Sequence, residues 1–252
     1  MDLHYQSPWL VEALEKEGDI KVNELNSNHN CDVCIIGGGY TGLWTAIKIK
    51  EKKPQLNIIL IEKDLCGSGA SGRNGGCMIP QSTKFQGIRD LVGIEDAKKM
   101  VLSTEAAVKH IKKFCSENKI NAEIRDDGVL YGATNTFHQG AFESLIRDLN
   151  QHNINSWKRL SKEKVQNLTK SIKFIDGYFS PIGGSLQPAV LVRGLKKIAE
   201  NNGIKIFEKS TVISYDYKKE ILVKTNNGSV SCGKLVFAIN AWTPNFLPFL
   251  SR

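Results

Sequence analysis

An α/β fold around a parallel sheet is what this sequence predicts, and three observations carry the prediction. A short apolar run, "CDVCII", feeds the glycine turn "GGGYTG"; a helical pattern follows the turn; and a second apolar run, "NIILI", follows the helix. Strand, glycine turn, helix and strand in that order open a parallel βαβ unit.

Residues 1–30 read as a polar leader with one amphipathic patch, "PWLVEALEKEGD", in which Pro8 suits a helix start and Trp9, Leu10, Ala13 and Leu14 share a face. The run from Cys31 to Gly37 is short and rich in Val and Ile, as a buried strand requires. Leu43, Ala46, Ile47 and Ile49 then recur at helical spacing until Pro54 breaks the pattern. "NIILIEKD" is the second strand, and residues 66–80, "CGSGASGRNGGCMIP", form a long glycine-rich loop. Beyond it the pattern predicts a helix over 95–118, a hairpin in "AEIRDDGVLYGAT" turning at Asp127-Gly128, a helix over 137–150, and a strand and loop in "IKFIDGYFSPIGG". A helix over 188–202 has proline in its first turn and Gly203 as its C-terminal cap. "GIKIFE", "TVISYDY", "EILVKT", "SVSCG" and "KLVFAIN" are five strand candidates, the last apolar enough to be central. There is no internal repeat and no low-complexity tract.

At 252 residues and 41% hydrophobic content the chain can bury a sizeable core. Its net charge of +8 comes from lysines interleaved with glutamates, which describes a solvated surface rather than a nucleic-acid interface. No apolar run is long enough to span a bilayer, and the polar, acidic N-terminus is unlike a signal peptide, so the expected location is the cytoplasm. The six cysteines lack the spacing of a disulfide framework, which fits a reducing compartment. "CDVC" resembles a redox or metal pair, but on a regular strand residues three apart project from opposite faces, so Cys31 and Cys34 are not expected to act together. No metal site is expected, because the five histidines show no ligand spacing.

Gly37, Gly39 and Gly42 match G-x-G-x-x-G. The first glycine permits the tight turn, the second lets backbone approach a pyrophosphate, and the third lets helix pack on strand. Tyr40 and Thr41 open the helix between them, whose N-terminus offers free N–H groups and partial positive charge to phosphates. Glu62, with Lys63 beside it, ends the next strand at the distance where an acidic side chain accepts a ribose hydroxyl. That carboxylate disfavours a 2′-phosphate, leaving FAD or NAD.

"DVCIIGGGYTGLWTAIKI" together with "IEKDLCGSGASGRNGG" resembles the N-terminus of the D-amino acid oxidase and glycine oxidase family of FAD-dependent oxidoreductases, in particular its γ-glutamylputrescine oxidase-like members. The resemblance implies a Rossmann-like FAD/NAD(P)-binding domain of glutathione-reductase type with an inserted α+β substrate-side segment. It implies that FAD is the cofactor and that Ser68, Ala70, Ser71, Arg73, Asn74, Gly75 and Gly76 lie along its pyrophosphate toward the flavin. "LQPAVLVRGLKKIAENNGIKIFEKSTVISY" and "KLVFAINAWTP" are similar to later family segments, which places Val212 near the adenine and Ala238, Asn240, Ala241 and Trp242 near the dinucleotide. The implied division is a leader at 1–30, an FAD-binding domain at 31–92 and 184–252, and a substrate-side segment at 93–183.

Family members continue beyond the "NAWT" turn with the strands, glycine turn and helix that complete the flavin site and supply the groups for substrate. The expectation is therefore an N-terminal part of such a protein, with no catalytic residue assigned. The implied reaction is hydride transfer from the C–N carbon of a neutral amine or amino acid to flavin, then hydrolysis of the imine. An apolar pocket would lower the amine's pKa. Other readings are a non-catalytic dinucleotide-binding module, half of a split enzyme with a second chain as partner, and an NAD-dependent dehydrogenase, which leaves the second glycine cluster unexplained. Among lesser candidates, Cys77 reads as a buried small hydrophobe, Trp44 and Trp242 as core aromatics, His110 as a surface or core residue, and His138 and His152 as solvated.

Overall fold

The computed structural model describes residues 7–217 and 220–251. Its elements, in chain order, are α1 (Pro8–Glu17), β1 (Asn28–Ile36), α2 (Tyr40–Lys52), β2 (Ile58–Ile61), β3 (Cys77–Met78), α3 (Phe85–Val92), α4 (Ile94–Glu117), β4 (Val129–Ala133), α5 (Glu143–Gln151), β5 (Lys158–Leu160), α6 (Lys162–Thr169), β6 (Asp176–Ser180), β7 (Gly184–Ser185), α7 (Pro188–Asn201), β8 (Lys205–Phe207), β9 (Val212–Tyr217), β10 (Ile221–Thr225) and β11 (Ser229–Phe237). Among the described residues, no helix is long and apolar enough to cross a membrane. The chain divides into two compact units, one made of the chain up to Gly75 and from Gln187 onward, the other of Gly76–Leu186. Residues 76–92, expected with the dinucleotide domain, pack in the second unit.

The first unit is built on a six-stranded sheet in the order β8-β2-β1-β11-β10-β9. The first four strands are parallel neighbours, and β10 and β9 add on as an antiparallel meander. Every residue of β2 is buried, which is why its sequence is an unbroken apolar run. On α2, Leu43, Ala46 and Ile47 are buried, and Lys50 and Lys52 occupy the last turn, where cations suit the helix dipole. On α7, Pro188 stands in the first turn and the Gln187 side chain accepts the Val190 N–H at 2.8 Å.

Three expectations about this unit need correction. "SVSCG" and "KLVFAIN" are one strand, not two, because β1 runs beside β11 along its whole length and carries the chain straight through Gly233. Cys31 and Cys34 do not project from opposite faces. The N–H groups of Asp32 and Val33 both donate to the Asn57 carbonyl, at 3.0 and 3.2 Å, so the regular ladder of β1 is interrupted there without a change of register. Both cysteines pack on one apolar cluster with Ile36, Ile59, Phe207, Val230 and Cys232.

The third correction is in the leader, whose first six residues lie outside the described ones. Leu10, Ala13 and Leu14 of α1 are buried against Leu65 and Ala189, but Trp9 is 41% exposed. Successive helical residues are about 100° apart, and the buried stripe centres between Leu10 and Ala13, which leaves Trp9 at its margin. The helix is also held by charge: Arg193, almost fully buried on α7, donates to Glu17 at 2.6 and 2.7 Å and to Glu208 at 2.8 Å. Burial opposes the Arg193 charge, but the two carboxylates outweigh it.

The second unit contains a three-stranded antiparallel sheet, β4-β6-β5, and the pair β3-β7. Phe85, Val101, Leu149, Trp157 and Tyr178 centre its core, and the Trp157 indole N–H donates to Ser82 Oγ at 2.9 Å. The expected hairpin at Asp127-Gly128 does not form. Arg125 exchanges backbone hydrogen bonds with Ser185, while β4 pairs with β6, so the two arms of "AEIRDDGVLYGAT" go to different partners. The expected helix over 137–150 starts only at Glu143, after a 3₁₀ turn at Thr136–His138 and Gly140 at φ 74°, outside the helical region. Asp176 on β6 accepts from Arg159 Nε at 3.0 Å and from the Gly140 N–H at 2.9 Å.

Candidate functional site

The parallel strands end at a topological switch point: from β1 the chain connects to β2 on one side, while β11 lies on the other. The crevice beyond the carboxyl ends of such strands is where doubly wound sheets bind ligands. Gly37 leaves β1 there with φ 111°, and its N–H donates to the Ile61 carbonyl at 2.8 Å. A Cβ on Gly37 would lie 2.4 Å from the Ala238 carbonyl oxygen, so glycine alone lets β1 and β11 end this close together. A Cβ on Gly42 would lie 1.9 Å from the Gly37 oxygen, which is the close helix-to-strand packing that the third glycine permits.

Gly39 caps α2 with extended backbone, and Leu43 makes the first bond back to its carbonyl, at 3.0 Å. The N–H groups ahead of Leu43 open the helix, with Tyr40's donating to Ser71 Oγ at 2.9 Å. The Tyr40 hydroxyl donates to the Pro188 carbonyl at 2.8 Å, and Thr41 is exposed beside it. Glu62 lies just past β2, where its two oxygens accept the Gly38 N–H at 2.6 Å and the Asp64 N–H at 2.9 Å. Burial pushes this carboxyl up, against the pull of those two N–H groups. Lys63 next to it is exposed.

The second glycine loop copies the first. Residues 67–72 read G-S-G-A-S-G, a second G-x-G-x-x-G that the sequence reading passed over. Gly67 has φ 95°, a Cβ on Gly72 would lie 2.2 Å from the Gly67 oxygen, and Gly69 caps a 3₁₀ turn, Ala70–Gly72, with extended backbone. The Gly67 N–H donates to the Gly38 carbonyl at 3.1 Å, and a Cβ on Gly38 would strike Cys66 Sγ at 2.5 Å. Gly38, Cys66, Gly67 and Gly72 thus shape the site although none was a candidate; the repeated motif was the signal for the last two.

Ser68 Oγ accepts the Leu65 N–H at 3.3 Å. Arg73 donates to the carbonyls of Ser68 and Gly69, and Asn74 to those of Ala70 and Ser71 at 3.1 and 3.0 Å. The Arg-Asn pair therefore folds its own loop, with Arg73, Asn74, Ala70 and Gly75 on the exposed side. Ala238 returns to the site: its N–H donates to Ile36 at 2.8 Å, and its carbonyl crowds Gly37. Asn240, at φ 51°, starts the 3₁₀ turn Asn240–Asn245 with Ala241 exposed in it. Val212 begins β9 two residues past Ser210, whose N–H donates to the Glu62 carbonyl at 2.9 Å. Gly76 begins the second unit, its carbonyl accepting the Leu186 N–H at 2.9 Å.

Two further expectations change. Cys77 is exposed rather than buried, beside a cleft of about 360 Å³ in the second unit lined also by Arg125, Asp127, Leu130 and Ser185. Trp242 is 59% exposed and belongs to no core. Among the described residues, no group of His, Cys, Asp and Glu is arranged to hold a metal.

Comparison with known proteins agrees with this architecture. The profile of the family described as FAD dependent oxidoreductase (DAO) matches residues 32–251. Gamma-glutamylputrescine oxidoreductase of Escherichia coli is 26% identical over 219 residues, covering 86% of this chain and 51% of that protein. Sarcosine oxidase subunit beta of Rhizobium meliloti is 24% identical over 225 residues, covering 82% and 49%. The chain spans about half the length of such relatives. L-amino acid deaminase from Proteus vulgaris, lacking its specific insertion, superimposes with a TM-score of 0.76 at 18% identity, covering 96% of this chain and 62% of that one; this is a likeness of fold.

Proposed function

The chain belongs to the family of FAD-dependent oxidoreductases, and from that premise we propose that its first unit holds the dinucleotide of FAD for oxidation of the C–N bond of an amine or amino acid by the whole protein. The observation that carries this reading is the close packing of the glycine turn. Gly37 and Gly42 let β1, β11 and α2 meet where a Cβ would strike the Ala238 and Gly37 oxygens, and the first turn of α2 would offer its remaining N–H groups to a pyrophosphate. Glu62 keeps lone pairs for a ribose hydroxyl after accepting from Gly38 and Asp64. Gly67, Ser68, Ala70, Ser71 and Gly72 would run beside the pyrophosphate, with Arg73, Asn74, Gly75 and Gly76 continuing toward the ring. Ala238, Asn240 and Ala241 close the other side, and Lys63 and Val212 would flank the adenosine.

Bound flavin supplies the hydride acceptor. This chain's residues bind and orient it; the amine-binding groups are not assigned to any residue here. The substrate class rests on relatives named for a glutamylated amine and for sarcosine.

One observation favours a second part of the flavin site lying outside this chain. β10 covers β11 only from Ser229 to Cys232, and among the described residues no strand pairs with that side of Lys234–Phe237. A strand from a further segment or a partner chain would fit there. The test is reconstitution: purified chain, alone and with the second half of a relative supplied in trans, is mixed with FAD and desalted. Retained yellow colour that bleaches anaerobically with an amine supports the proposal. Colourless protein under both conditions would refute it.

A further inference from the structure

We propose that Cys31 and Cys232 are a peroxide-sensitive dithiol, oxidised to a disulfide that staples β1 to β11, at a site separate from the glycine turns. The two residues are direct partners in the parallel register of these strands and point to the same face. Neighbouring strands lie about 4.8 Å apart, inside the roughly 4.4–6.8 Å between Cα atoms that a disulfide bridges. Cys34 packs in the same cluster, just past the point where the Asp32 and Val33 N–H groups share the Asn57 carbonyl.

The members differ in a way that orders the chemistry. Cys34 and Cys232 are buried, whereas Cys31 is half-exposed and gives a small oxidant its way in. Among these neighbouring thiols the Cys232 one is held below its ordinary value and the Cys31 one above it, each through the other. Cys34 faces Leu235 in the register, three residues along β11 from Cys232, so it is the third thiol and not the partner. A metal is not the explanation, since no such group among the described residues is arranged to bind one.

Hydrogen peroxide is the oxidant. Its O–O bond breaks as the Cys232 thiolate takes one oxygen, giving a sulfenic acid and hydroxide. With the Cys232 charge gone, Cys31 loses its proton more readily and attacks the Cys232 sulfur. The S–S bond forms, the S–O bond breaks, and a second hydroxide leaves. The two thiol protons convert both hydroxides to water, so two thiols and one peroxide become one disulfide and two waters.

The test uses the whole chain carrying Cys77→Ser, which removes the exposed thiol and its intermolecular products. Protein treated with hydrogen peroxide is quenched, denatured, alkylated and digested without reduction. Mass spectrometry is expected to show a Cys31–Cys232 cross-linked peptide and two fewer alkylated cysteines, both reversed by dithiothreitol. Cys31→Ser should abolish the cross-link, and Cys34→Ser should retain it. Full alkylation after peroxide, sulfinic or sulfonic acid at Cys31 without a cross-link, or a cross-link through Cys34 would each overturn the proposal. If a Cys34 variant fails to fold, the half-exposed Cys31→Ser comparison still decides.

Discussion

Glu62 Oε2 accepts the Gly38 N–H at 2.6 Å, so the carboxylate that follows β2 holds the middle of the glycine turn that follows β1. One side chain shapes the turn and, in the proposed site, would also accept a ribose hydroxyl, so its ionisation would be coupled to both.

Burial raises the Glu62 carboxyl above the ordinary carboxylate range, despite the Asp64 and Gly38 N–H groups. The folded chain then keeps a proton that the unfolded chain has released, so stability declines as pH rises from about 4.3 through the raised value. Glu62→Gln should flatten that decline in urea midpoints measured against pH. It should also weaken FAD about tenfold, roughly 1.4 kcal/mol, by fluorescence titration. Parallel pH curves for variant and parent would show that Glu62 stays at an ordinary value.

Two pairs of glycines predict opposite tolerances. Gly42→Ala and Gly72→Ala place a methyl within 1.9 and 2.2 Å of backbone oxygens. Each should cost about 1–3 kcal/mol or more, as overpacking against atoms that cannot move away does. Gly69→Ala and Gly75→Ala meet nothing within 4 Å and should leave chemical denaturation unchanged.

Arg193 predicts an asymmetry between partners. Arg193→Ala leaves Glu208, whose side chain is 1% exposed, without its principal counter-charge. The expected loss is about 3–5 kcal/mol. Glu17→Gln removes the more exposed partner and should cost about 1 kcal/mol, while freeing α1 for faster limited proteolysis. Equal losses in the two variants would mean that Glu208 is served as well by Lys196, which lies 3.6 Å away.

Asp176 gives the second unit an acid limit. Burial pushes its carboxyl up, but Arg159 and the Gly140 N–H outweigh burial and leave it lowered. Its contribution is present above the unfolded value of about 3.9 and disappears as pH falls through the lowered one. Arg159→Met should move acid unfolding, followed by near-ultraviolet dichroism, to higher pH and lower the urea midpoint at neutrality.

What was legible in the sequence follows from what local chemistry controls. The βαβ opening could be read because hydrophobic period and glycine requirements act within a few residues, and Gly37, Gly42 and Glu62 stand where that reading put them. The false hairpin at Asp127-Gly128 failed because Arg125 pairs with Ser185, a partner sixty residues away that no turn residue announces. Cys31 and Cys34 were misread for a similar reason: the ladder between them is interrupted where the Asp32 and Val33 N–H groups share the Asn57 carbonyl of another chain segment. Arg73 and Asn74, expected along the pyrophosphate, also donate to carbonyls of their own loop, a use that composition does not announce. The second G-x-G-x-x-G was in plain view at 67–72 and was missed because the loop resembled a family segment as a whole.

The interruption at Asp32–Val33 has a mechanical meaning as well. A strand's alternation is a phase, and a slip of one residue normally propagates along its full length. Here β1 and β11 keep a single register from Asn28–Ser229 to Ile36–Phe237, while Cys31 and Cys34 on one strand and Cys232 and Leu235 on the other share one cluster, so the two strands change phase together. Gly37 and Ala238, which leave those strands side by side, therefore arrive in step, and a slip of either strand alone would part them.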